Sequence, residues 1–195
     1  MRPRPLPAAF FARDVVSVAR DLLGRILVSD VGGSRCAVRI VETEAYLGPH
    51  DPASHAWRWR RSPRNESMYG PPGHAYVYFT YGMHWCFNVV TGRAGFPSAV
   101  LVRAGEPLEG EETMRRRRGV SDDRLLAAGP ARLTEALGIT RALDGHRLSE
   151  SPLWLARGHA VPASRRRRSA RIGVTRARER LLRFCVKDNP YVSKA

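Results

Sequence analysis

The sequence predicts a single α+β domain: a curved, mostly antiparallel β-sheet with surrounding helices and a protruding β-hairpin. Three observations predict it. Strand-like stretches cluster toward the two ends of the chain with helical stretches between them, a distribution that suits an α+β layering rather than alternating βαβ units. Residues 76–90 alternate with a period of two on both sides of Tyr81-Gly82-Met83, the pattern of two strands joined by a tight turn. The chain has 195 residues, 43% of them hydrophobic and 26% charged, which is enough for one core and marginal for two.

Taken in order, the elements follow from local chemistry. Residues 1–9 hold Pro3, Pro5 and Pro7 and are expected as a flexible tail of a domain that otherwise spans residues 1–195. Val15, Val18, Ala19, Leu22 and Leu23 recur at helical spacing between a capping Asp14 and a stop at Gly24. Residues 26–28 and 36–46 then read as strands joined through Gly32-Gly33. Residues 47–73, rich in Gly, Pro, Trp and Arg, are too long and polar for a simple connection, and loops of that kind are usually functional or disordered. After the hairpin come a strand at 99–103 and a helix at 109–118 with acids in its first turn and arginines in its last, as the helix dipole favours. Short helices are expected at 125–128 and 131–137, an alternating stretch at 153–155, a basic loop at 165–168 and a strand at 182–186.

Charge narrows the class of partner. Lys and Arg total 33 against 18 Asp and Glu, a formal net charge of +15, and Lys occurs only at Lys187 and Lys194. The planar guanidinium fork suits phosphate oxygens, so a nucleic acid is the first partner to consider, although an arginine-rich codon usage would produce the same surface. Cys36, Cys86 and Cys185 are an odd number with no paired spacing, as expected of reduced thiols in a cytoplasmic, nucleoid-associated protein. No stretch has the length and apolarity of a membrane span, and the basic, proline-broken start is unlike a signal peptide.

The chemistry-bearing residues concentrate in residues 39–88. Glu42 and Glu44 are two apart on a strand and point the same way. They read either as a structural ion pair with Arg39 or Arg103, or as a carboxylate that deprotonates water beside the aromatic walls of Tyr46 and Tyr78. His50, Asp51 and His55 lack a further convergent ligand, so no metal is expected. Tyr76 and Tyr78 fit ordinary hairpin packing. Tyr81 at the turn has little core to pack on and reads as a wedge. The arginine runs at 115–118 and 165–168 read as solvated faces or as a phosphate track.

With these residues assembled, the chain resembles the alkyladenine (3-methyladenine) DNA glycosylase family of the vertebrate-type fold, as a bacterial member. The resemblance runs from Phe11-Ala12-Arg13 to Pro190-Tyr191-Val192-Ser193. It is strongest in Val41-Glu42-Thr43-Glu44-Ala45-Tyr46, in the hairpin through Tyr81-Gly82-Met83 to Asn88, and in Val102-Arg103-Ala104-Gly105-Glu106-Pro107. It implies a general base at Glu44 and an arginine at Arg103 that helps hold the attacking water. It also implies base-stacking walls at Tyr46, His55 and Tyr78, backbone contacts to a flipped base from Ala53 and His55, a purine-screening amide at Asn88, and an intercalating wedge at Tyr81. His84 stands where many relatives carry another aromatic, and residues 57–61 and 165–168 have no firm counterpart.

The resemblance further implies a monomer acting on double-stranded DNA that contains damaged purines, with no metal, cofactor or lyase step. The expected reaction flips 3-methyladenine, another alkylated purine or hypoxanthine from the duplex and hydrolyses its N-glycosidic bond, leaving an abasic site. Two readings compete with it. One is a lesion- or RNA-binding protein of the same fold without catalysis; the other is a hydrolase of free nucleosides, which needs neither the basic surface nor a wedge.

Overall fold

The computed structural model describes residues 4–193. In chain order the helices are α1 (Ala8–Phe11), α2 (Val15–Leu22), α3 (Glu111–Arg118), α4 (Asp123–Leu126) and α5 (Pro130–Leu137). The strands are β1 (Ile26–Ser29), β2 (Cys36–Tyr46), β3 (Ala75–Thr80), β4 (His84–Thr91), β5 (Ser98–Glu109), β6 (Ser149–Glu150), β7 (Leu153–Ala156), β8 (Arg166–Ser169) and β9 (Arg183–Val186). All nine pair antiparallel in one sheet of order β3-β4-β5-β2-β1-β7-β6, with β9 on β2 and β8 on β9.

β2 is the axis of the molecule. One edge pairs along its length with β5, while the other is shared, β1 taking residues 36–39 and β9 residues 42–44. The register against β5 shifts between Ile40 and Glu42 and again between Glu42 and Thr43. A bulge of this kind bends a strand and re-aims its side chains, and here it falls where the strand turns acidic. Glu42 and Glu44 can be buried in a sheet only because partners from β5, β9 and the C-terminal loops converge on them.

Helix α2 caps the opposite face. Asp14 accepts a 3.0 Å hydrogen bond from the Ser17 amide, and Val15, Val18, Ala19 and Leu22 are buried. The Thr43 hydroxyl donates to the Ala19 carbonyl at 2.8 Å, tying α2 to the middle of β2. The chain leaves this region at Gly24, whose φ of +83° and whose approach to the His159 carbonyl leave no room for a Cβ. On the hairpin side, the Thr134 hydroxyl of α5 donates to the Trp85 carbonyl at 3.0 Å, fixing β4 from behind.

Four expectations need correction. Residues 4–9 are not a loose tail: Pro5 bridges to Ala156, the Leu6 amide donates to the Leu155 carbonyl at 2.8 Å and Leu6 is buried, while residues 1–3 lie outside the described residues. The basic loop at 165–168 is mostly strand β8, which hydrogen-bonds to β9 even though four successive polar residues hide the alternation. The strand expected at 99–103 extends to Glu109, because Gly105 lets Val38 pack where its Cβ would otherwise stand. The helix expected at 125–128 starts earlier, at Asp123, where the Asp122 side chain accepts from the Arg124 amide. Among the described residues no helix is long and apolar enough to cross a membrane.

Candidate functional site

The hairpin carries one wall of a cavity. On β3, Tyr76 and Tyr78 lie on one face with their ring centroids 5.3 Å apart. His55, from the long loop, packs edge-on to Tyr78 at 4.6 Å and hydrogen-bonds through Nδ1 to the Tyr76 hydroxyl at 2.7 Å. Burial, then the nearby charges of Arg64 and Arg60, lower the His55 pKa to about 4, so the ring is neutral at physiological pH. Asn88 on β4 is buried and donates from Nδ2 to the Tyr76 carbonyl at 3.1 Å.

The loop that brings His55 into place is held by two polar side chains. Asn65 is buried; its Nδ2 donates to the carbonyls of His55 and Arg60, and its Oδ1 accepts from the Ser62 amide at 2.7 Å. Asp51 is a buried ion-pair partner: it accepts from both terminal nitrogens of Arg171, one at 2.8 Å, and from the amides of Leu47 and Ala53. Burial raises the Asp51 pKa, but Arg171 and the two amides outweigh it, and the net shift is downward. Among the described residues no group of three His, Cys, Asp or Glu side chains gathers as a metal-ligand set.

Beneath the aromatic wall lies an acidic network with two distinct members. Glu42 is fully buried and accepts from Arg103 Nε at 2.9 Å, Arg183 Nε at 2.6 Å, and the Ser193 amide and hydroxyl at 2.7 and 2.9 Å. Three of these donors meet Oε1 and the Ser193 amide meets Oε2, so Glu42 fits the structural ion-pair reading. Glu44 is held more lightly. Its Oε1 accepts from the Ile172 amide at 2.8 Å and lies 3.3 Å from Arg103 Nη1, while its Oε2 accepts from the Tyr46 hydroxyl at 2.9 Å.

Burial raises the Glu44 pKa above the ordinary carboxylate value, against the opposing pull of Arg103, the Ile172 amide and Tyr46. Burial and the neighbouring Glu44 hold the Tyr46 phenol far from ionisation, so it donates. The Arg171 guanidinium lies over the Tyr46 ring at 4.7 Å, backing that wall.

The cavity between these groups has a volume of about 880 Å³. Tyr46, Ala53, His55, Tyr78, Tyr81, Asn88 and Arg103, all singled out from sequence, line it together. Glu44 does not line it: its exposure is 0%, and Tyr46, Arg103 and Ile172 stand between its carboxylate and the space. At the mouth, Tyr81 is 80% exposed with φ at +51°, followed by Gly82 at +68°. Two successive left-handed residues make a turn of the I′ kind, and holding a tyrosine there costs about 1–2 kcal/mol, the sort of strain that collects at functional tips.

Sequence reasoning missed Arg171, the Ile172 amide, Arg64 and the Arg183–Ser193 clamp on Glu42. Asp51 pairs with Arg171, a partner 120 positions away, and nothing local in the sequence links the two. His84, at the start of β4, is exposed beside Met83 and Trp85 and is not among the residues that line the cavity.

Comparison with known proteins places this geometry among relatives. A family model described as methylpurine-DNA glycosylase (MPG) matches residues 9–190. A protein of Carboxydothermus hydrogenoformans is 48% identical over 190 residues, covering 97% of this chain and 98% of the relative. Proteins of Methanoculleus marisnigri and Streptomyces avermitilis are each 49% identical, covering 97% of this chain and 98% and 91% of theirs. All three carry the name "Putative 3-methyladenine DNA glycosylase".

Proposed function

The chain belongs to the methylpurine-DNA glycosylase family and is a hydrolase of N-glycosyl bonds in DNA, and we propose that it flips damaged purines, 3-methyladenine and hypoxanthine among them, into the cavity under Tyr81 and excises them. The observation that carries this reading is the placement of one under-coordinated carboxylate, Glu44, directly behind the aromatic wall of a cavity whose mouth bears an exposed tyrosine.

In this reading Tyr81 enters the duplex and fills the space of the flipped nucleotide. The base stacks against Tyr46 on one side and Tyr78 with His55 on the other, regaining roughly 1–3 kcal/mol per stacked face against an unstacking cost of a few kcal/mol. Asn88 screens the purine edge, and the backbone of Ala53 and His55 contacts it. Seating the base against Tyr46 shifts that hydroxyl off Glu44 Oε2 and admits a water in its place. Arg103, pinned by Glu42, orients the water. Glu44 takes a proton from the water as its oxygen bonds to C1′. The bond from C1′ to the purine nitrogen breaks, and its electron pair leaves with the base. A cationic alkylated purine thereby departs neutral. Among the described residues no lysine lines the cavity. The protein acts as a monomer on double-stranded DNA.

The full burial of Glu44 favours one second reading, a lesion- or RNA-binding protein in which the carboxylate is structural. An abasic-site assay separates them. Duplexes carrying 7-methylguanine or hypoxanthine are incubated with the protein and then cleaved with alkali, with free inosine as a parallel substrate. Strand breaks at the lesion with inosine left intact support excision, whereas retention of the lesion duplex without breaks supports the binder.

A further inference from the structure

Arg60, Arg64, Arg103 and Arg176 line the cavity. Arg103 is neutralised by Glu42 and Glu44, whereas the other three form no ion pair among the described residues, and of these Arg64 is the one set over the aromatic wall. Its guanidinium lies 5.3 Å from the centroid of Tyr78, the ring that forms the stacking wall. Its neighbour Asn65 is buried and pins the loop from both sides, so the side chain projects from a fixed backbone. The charge also reaches the cavity floor: the pKa values of His55, Tyr76 and Cys86 all respond to it. Among the described residues no carboxylate lines the cavity to cancel it.

Resting on the excision reading above, we propose that Arg64 is a catalytic residue that stabilises the departing base and acts selectively on uncharged lesions. When hypoxanthine is the leaving group, water oxygen bonds to C1′, its proton passes to Glu44, and the C1′–N9 electron pair stays on N9. The purine therefore leaves as an anion, with its charge spread over the ring that stacks on Tyr78. A guanidinium beside that ring opposes the developing charge and can donate to the purine's acceptor atoms, which is electrostatic stabilisation at the place where charge appears. A cationic lesion such as 7-methylguanine leaves as a neutral base. It gains nothing from Arg64 in the transition state and is repelled by it in the ground state. In solution Arg64 is exposed and screened, but duplex DNA covering the mouth removes that water, so the effect is specific to the closed complex.

The test is single-turnover excision by wild type, Arg64→Gln and Arg64→Lys on matched duplexes carrying hypoxanthine or 7-methylguanine. Arg64→Gln should slow hypoxanthine excision by about tenfold or more while leaving 7-methylguanine within about twofold or faster, since one lost electrostatic donor typically weighs on the chemical step alone. Arg64→Lys, which keeps the charge, should restore a large part of the hypoxanthine rate. Equal losses on both lesions would overturn the proposal and make Arg64 a phosphate contact or a folding residue, with the melting temperature telling which. No change on either lesion, or a larger loss on 7-methylguanine, overturns it as well. A wild type that excises neither lesion sinks the glycosylase reading itself, an outcome distinct from an active enzyme whose lesion ratio ignores Arg64.

Discussion

Replacing Glu42 by Gln is expected to cost most of the protein's margin of stability, although the substitution changes a single atom. Four donors converge on this carboxylate: Arg103 Nε, Arg183 Nε, and the Ser193 amide and hydroxyl. A glutamine offers one acceptor oxygen in place of two and turns an NH₂ toward groups that are themselves donors. Arg103 retains Glu44 at 3.3 Å, but Arg183 has no other carboxylate partner among the described residues. The change thus strands one buried cation and leaves at least one buried donor unpaired. Removing one partner of a buried ion pair costs about 3–5 kcal/mol, and each kcal/mol lowers Tm by about 2–4 °C in a chain of this size, so the expected drop is roughly 6–20 °C.

Thermal unfolding followed by circular dichroism, checked by urea titration, measures it. Because the contacts that anchor Ser193 among the described residues are this network and the Arg183 bond, proteolytic nicking near the C-terminus should rise in parallel. A Tm within about 2 °C of wild type would refute the reasoning, since it would mean that water or a rearranged Arg183 satisfies the site at no cost.

Other outcomes follow from the same geometry. Tyr81→Ser should slow excision of a well-paired lesion in duplex DNA and leave a mismatched or single-stranded lesion little affected, because the wedge acts on the flipping equilibrium; equal losses in competition assays across all contexts would make Tyr81 a residue of the turn only. Excision should fall on the acid side with an apparent pKa above the ordinary carboxylate value, because Glu44 must be ionised to accept a proton and its pKa is raised by burial. Tyr46→Phe removes a hydrogen bond that favours the ionised form in the free enzyme, so the acid limb of the kcat/KM profile should move to still higher pH; a shift to lower pH contradicts the assignment. Affinity for undamaged duplex, measured by fluorescence anisotropy, should fall with log salt at a slope of about −0.9 per phosphate contacted, and a slope near zero would leave the +15 charge without a role in DNA binding.

What could be read from the sequence, and what could not, divides by range. β2 was legible at its observed bounds, Cys36–Tyr46, because glycines precede it and Gly-Pro follows it. The hairpin was legible because alternation and the tyrosine-glycine tip are local signals. The cavity walls came with them, since Tyr46, His55, Tyr78 and Asn88 fall within a stretch of fewer than fifty residues.

The polar supports were not legible. Arg171 meets Asp51, and Arg183 and Ser193 meet Glu42, across more than a hundred positions, and nothing in a run of arginines says which member is buried. The same blindness hid β8, where successive arginines mask a strand that its partner β9 defines. Strand spacing by itself left Glu42 and Glu44 equivalent, and the family resemblance was what put the base on Glu44. The difference lies in coordination: one carboxylate is held by four donors, two of them arginines, the other by a tyrosine hydroxyl, one amide and a shared guanidinium.

That difference makes Glu44→Gln the most direct measurement of the central claim. The glutamine can keep the local bonds, its oxygen accepting from the Ile172 amide and its NH₂ donating to the Tyr46 oxygen, and Arg103 keeps Glu42. Stability should therefore hold, with Tm moving by no more than about 4 °C, and lesion-duplex affinity should survive. Single-turnover excision of hypoxanthine should slow by roughly 10² to 10⁴, the usual effect of losing a positioned general base. A variant that is strongly destabilised yet excises at the wild-type rate in its folded fraction would contradict the account and return Glu44 to the structural role that Glu42 already fills.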